Sequence, residues 1–172
     1  ISTIQFCTPD MLERYKKITL IRDYIDKKQE DIDAYNIKNN IDKTVLANGR
    51  NLTNVGIFRE YMYRYVAQHP KVNKKLVALV RQLSPGEKGL PLELYCFTRD
   101  KQWIDHENIA ADIFDHVLAV VPQFDLEIFE SPSGKESWLQ NNFAYDFTLL
   151  LTAIFVSLIH GDPLAQMVLT LH

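Results

Sequence analysis

A chain of 172 residues, 47% of them hydrophobic and 24% charged, has the apolar content for the core of one domain, with room for an appendage at either end. Its formal net charge of -3 gives no electrostatic ground for binding nucleic acid, which calls for a basic face. Two cysteines, Cys7 and Cys96, stand far apart without CxxC spacing; this argues against a disulfide framework or structural zinc and for a reducing compartment.

The opening "ISTIQFCTPD" has neither the basic start nor the long apolar core of a signal peptide, and Ile rather than Met at position 1 is expected of a fragment or processed product. "STIQF" predicts a short strand. Thr8-Pro9-Asp10 is a helix-start signal, and the charged run after it carries Leu12, Tyr15, Ile18, Ile21, Ile25 and Ile32 in one narrow stripe. That pattern predicts a solvated helix or helical hairpin over about 10–40, an insertion lying on the domain rather than a core helix.

"NNIDKTVLANGR" is a loop with turn chemistry at Asn48-Gly49. A helix is expected from Asn54 to Gln68, capped by Thr53 or Asn54, stopped by His69-Pro70, with Val55, Phe58, Met62, Tyr65 and Val66 inward. "KLVALVRQL" and "LPLELYCF" predict a hairpin through the polar turn "SPGEKG". A second helix, about Ile104 to Val120, would bury Ile109, Ile113, Phe114, Val117 and Leu118, and the alternating "FDLEIFE" predicts a last strand. The resulting order is an α+β, ferredoxin-like βαββαβ sandwich over residues 1–134, two helices covering one face of an antiparallel sheet.

Residues 135–172 form an apolar tail. Its uncharged run "FTLLLTAIFVSLI" has thirteen residues, whereas crossing a bilayer takes roughly 18 or more. It reads as a segment buried or covered by a partner, since left bare it would promote aggregation.

Four patterns invite a chemical reading. Gly49, Arg50 and Thr53, beside a helix N-terminus, could contact a small anion through free N–H groups. No P-loop or dinucleotide glycine pattern accompanies them, and a helix cap explains the same residues. "DHENIAADIFDH" is rich in acids and histidines, yet Ala110 stands where a zinc-protease motif needs its second histidine. Asp112 and His116, four apart, can share a helix face as an ion pair or ligand pair, while His69, His160 and His172 offer no spacing for a third ligand. Cys96 lies within an apolar strand without a base beside it, and Ser84, Ser131 and Ser133 form no nucleophile elbow. No catalytic residue, metal or cofactor is therefore assigned, and the chain is not expected to be an enzyme. Aromatic residues on a ferredoxin-like sheet can stack RNA bases, but the strands carry no RRM-type run and the charge is wrong.

Three blocks, "NGRNLTNVGIFREYMYRYVAQHP", "VRQLSPGEKGLPLELYCFT" and "ADIFDHVLAVVPQFDLEIFESPSG", follow in an order and spacing that resemble the cytoplasmic C-terminal domain of the small-conductance mechanosensitive channel family. The miniconductance bacterial branch is the most similar, since it too carries a charged helical insertion. The resemblance spans about Ile1 to Gly134 and does not extend into the tail. It implies a channel of the bacterial inner membrane that opens under tension in hypo-osmotic shock. The transmembrane part would precede Ile1, and identical subunits, seven in the family, would assemble. This domain would then wall a cytoplasmic vestibule that serves assembly and filters ions and small solutes. A soluble regulatory module of the same fold, binding a small anion at Gly49, Arg50 and Thr53, is the alternative reading.

Overall fold

The computed structural model describes residues 1–100 and 102–130 in full and the backbone of Gln166–Leu171. Among the described residues, four helices and one antiparallel sheet make a mixed α+β fold. Helix α1, Pro9–Lys16, starts where Thr8 Oγ1 accepts the Met11 N–H at 3.3 Å, with Pro9 fixing the first turn. The charged run does not continue as one helix. It breaks over 17–21, where Arg22 Nε donates to the Lys16 carbonyl at 2.9 Å, and resumes as α2, Arg22–Lys38. The apolar stripe was expected to lie on the domain, but Tyr15, Ile21, Ile25 and Ile32 are buried members of the core itself. The charged positions of the run stay exposed or half-buried, which reconciles high charge with burial.

Helix α3, Asn54–Gln68, has the expected bounds: Thr53 Oγ1 accepts the Gly56 N–H at 3.2 Å, and the chain leaves helical geometry at His69, before Pro70. Strands β1, Leu79–Gln82, and β2, Leu92–Phe97, pair antiparallel with Leu79 opposite Tyr95 and Gln82 opposite Leu92. Leu92, Leu94 and Cys96 point into the core on alternate positions, and Arg81 pairs with Glu93 across the strands. The turn needs glycine at position 89: its φ is +91°, and a Cβ there would lie 2.7 Å from the Ile1 carbonyl oxygen. A third strand, β3 (Gln166–Leu171), pairs antiparallel on the far side of β2, giving the order β1-β2-β3.

Helix α4, Trp103–Val120, buries His106, Ile109, Ala110, Ile113 and Val117. Phe114 and Leu118, expected inside, are only partly buried, because the inward stripe runs through 106, 109, 113 and 117 and leaves them at its margin. A 3-10 turn over Val121–Phe124 follows. Two expected strands are absent as such. "FDLEIFE" begins with Phe124 drawn into that turn, and Asp125 at φ 54° bends the chain before a single bridge joins Glu127 to Ser2. "STIQF" contributes that bridge and another from Phe6 to Thr53, interrupted by Thr3 at φ 59°.

Phe124 explains the bend. Its ring meets those of Tyr15, Phe58 and Tyr61 at centroid distances of 5.3, 5.2 and 5.2 Å, joining α1, α3 and the turn after α4 in one aromatic cluster. Helix α3 packs on both hairpin strands, and α3 and α4 both pack on the 3-10 turn. Among the described residues no helix is long and apolar enough to cross a membrane. The apolar run at 147–159 lies outside the described residues.

Candidate functional site

The Gly49 corner is built from α2. Asn36, buried near the end of that helix, accepts the Arg50 N–H at 2.9 Å and donates to the Arg50 carbonyl at 3.0 Å. Gly49 adopts φ +67°, and a Cβ there would run into the Asn36 carboxamide and the Ile41 side chain. The Arg50 guanidinium lies over the Tyr35 ring, 5.3 Å from its centroid, while the Thr53 hydroxyl serves the α3 cap. Each of the three residues proposed to contact an anion thus has an internal role: a turn, a clasp and a cap.

The second site is a column of rings between α3 and α4. Tyr61 Oη and His116 Nε2 share a hydrogen bond of 2.7 Å, and Tyr65 stacks on the His116 ring at 3.9 Å with planes 6° apart. His69, one turn further along, meets Tyr65 at 6.0 Å. Spacing of four on α3 and packing of α3 beside α4 bring these rings together. Burial raises the Tyr61 and Tyr65 hydroxyls above the ordinary tyrosine range and lowers His69 below that of free histidine. Asp112 raises Tyr65 further and partly offsets the His69 shift, so its charge is close by. It makes no hydrogen bond or ion pair with His116, however. The partner of His116 comes from α3, not from its own helix. Among the described residues no group of three or more His, Cys, Asp or Glu could hold a metal ion.

A third cluster joins residues that nothing in the sequence groups together. Asp125 Oδ2 accepts from Arg14 Nη2 and Tyr15 Oη, both at 2.6 Å. The Arg14 hydrogen bond holds its carboxyl below the ordinary range against partial burial, with Tyr15 adding to the effect. The Asp125 carbonyl accepts from Thr3 Oγ1 at 3.0 Å and Asn54 Nδ2 at 3.1 Å. Asn54, fully buried, also donates to the Thr3 carbonyl and accepts the N–H groups of Gln5 and Val55. Thus the amino-terminal segment, α1, α3 and the bend after α4 meet at two polar side chains. Only the asparagine could have been noticed beforehand, as a candidate cap.

The remaining candidates lie apart. Cys96 is enclosed in the core and burial pushes its thiol up to about 12, the opposite of what a nucleophile needs. Ser84 is exposed in the hairpin turn. Ser131, Ser133, His160 and His172 lie outside the described residues. His106, buried on α4, shares a 3.2 Å hydrogen bond with Thr98 at the end of β2 and so joins helix to sheet. Among the described residues every buried side-chain nitrogen or oxygen has a hydrogen-bond partner. The polar groups in these clusters therefore hold the fold together. No family model matches the chain, and no solved structure matches it.

Proposed function

We propose that this chain is the cytoplasmic vestibule domain of a mechanosensitive ion channel of the bacterial inner membrane. The full protein opens under membrane tension in hypo-osmotic shock. Its transmembrane part precedes Ile1, and identical subunits, seven in all, surround a chamber through which ions and small solutes pass. The domain acts by assembly and filtering, without catalysis or a cofactor.

One observation supports this reading above the others. Backbone pairing runs from Glu127 to Ser2, from Ile1 to Leu90, and from β2 to β1, each antiparallel. Taken as last segment, first segment, third, second, these pairs are in keeping with a ferredoxin-like order, although the ladder beside β2 is made by β3 and the first segment contributes the single pair at Leu90. The three sequence blocks that resemble the channel family include α3, the hairpin, and α4 with the bend after it.

The experiment is patch-clamp recording of the full-length gene product in bacteria stripped of their own mechanosensitive channels. Tension-gated current is expected. Absence of current up to membrane rupture, with the protein shown to be in the membrane, would overturn the proposal.

A further inference from the structure

The amino terminus and β3 lie along the same edge of β2. Ile1 exchanges two backbone hydrogen bonds with Leu90, each 3.0 Å, as antiparallel partners do. The next carbonyl, that of Pro91, accepts from the Leu83 N–H on the β1 side. Backbone groups of successive residues in a strand point to opposite edges, so Leu90 faces away from β1, toward the edge that β3 occupies. Strand β3 pairs Gln166 with Phe97 and ends with Leu171 opposite Leu92. Two positions further along the same track, opposite Leu90, is Ile1. The carboxyl end of β3 and the amino end of the chain therefore abut in a single strand track.

An extended backbone leading into Ile1 would continue along that track. Counting back, its second to seventh residues ahead of Ile1 fall opposite Leu92 to Phe97, the six places that β3 fills. Two strands cannot share one edge, because each N–H and C=O there takes one partner.

We propose that the Leu92–Phe97 edge is a strand-docking slot for the residues that lead into Ile1, and that β3 is a displaceable occupant of the same slot. The inference rests on the reading that the chain continues upstream. Entry of the upstream strand releases Gln166–Leu171, so the edge couples the segment arriving from the membrane side to the position of the tail. Docking is by β-augmentation: main-chain hydrogen bonds supply the attachment, and the sheet is restored with a different third strand.

The test compares three versions of the 172-residue chain by hydrogen exchange with mass spectrometry: the chain as it stands, one with seven alternating Thr and Val residues ahead of Ile1, and one with seven Gly and Ser residues there. In the unextended and Gly-Ser chains, amides of both 92–97 and 166–171 should exchange slowly. The Thr-Val extension should keep 92–97 slow and speed exchange at 166–171 at least tenfold. Equal protection of 166–171 in both extended chains would overturn the proposal, and so would unprotected 166–171 amides in the unextended chain. A silent patch-clamp record would remove the channel reading and leave the strand-exchange result standing, so the two failures are separable.

Discussion

Asn54 Nδ2 donates to the Asp125 carbonyl at 3.1 Å, tying the first turn of α3 to the bend that ends α4 across 71 positions of sequence. The same carboxamide holds the amino-terminal segment through Thr3 and Gln5. Replacing Asn54 with Leu, similar in size, leaves the Gln5 and Val55 N–H groups and the Thr3 carbonyl short of a partner. The Val55 N–H is buried whereas Thr3 and Gln5 are exposed, so at about 1–3 kcal/mol for a buried group left unpaired the variant should lose about 1–3 kcal/mol in urea unfolding at neutral pH. A loss under about 1 kcal/mol would show that water replaces the side chain.

The Asp125 carboxylate makes stability depend on pH. Its folded pKa is depressed by Arg14 and then Tyr15, so the stability it contributes is fully present above the ordinary carboxylate value, about 4, and is lost as pH falls through the folded pKa. Asp125→Asn tolerates the left-handed backbone at this position and removes the charge. The variant should be less stable than wild type at pH 6 and approach it below pH 3. Parallel stability curves across that range would show that the pair adds nothing.

Phe58 and Phe114 should behave differently. Phe58 is fully enclosed and meets Phe124 at 5.2 Å, so Phe58→Ala should cost about 3–5 kcal/mol. Phe114, at the margin of the α4 stripe, should cost about 1–2 kcal/mol on truncation, in line with partial burial. Chemical denaturation of the two variants decides it. Equal losses would put both rings in the core.

At the Gly49 corner, Arg50 rests on Tyr35 and Thr53 Oγ1 is engaged in the cap, so inorganic phosphate at millimolar concentration should leave the melting temperature unchanged. The result should be the same in Arg50→Ala. Stabilisation by phosphate in the wild type that disappears in the variant would instead support the anion-binding alternative.

Both thiols are enclosed, and burial pushes each up to about 12, with Asp125 adding to the effect at Cys7. Iodoacetamide at pH 8 should label neither cysteine in the folded chain and both in denaturant, read by intact mass. Labelling of one thiol under native conditions would locate a local opening at that cysteine.

What the sequence determined by itself is local. The bounds of α3 were legible because Thr53, Gly56 and Pro70 act within a turn or two, and the hairpin because its polar turn joins two apolar runs. The inward face of the charged run at 10–40 was legible as a stripe, though not that the stripe enters the core. Only the tertiary structure decided which distant groups satisfy one another. Sequence spacing offered His116 a candidate partner in Asp112 on its own helix, and packing of α3 beside α4 gave it Tyr61. Phe124 began an alternating run that reads as a strand, and the apolar cluster of Tyr15, Phe58 and Tyr61 drew it into a turn. Asp125 had no local signal at all, since its partners Arg14, Tyr15, Thr3 and Asn54 come from three other parts of the chain. Caps and turns are set by neighbours a few residues away. Burial and buried hydrogen bonds depend on contacts across the whole chain, which no short window of sequence contains.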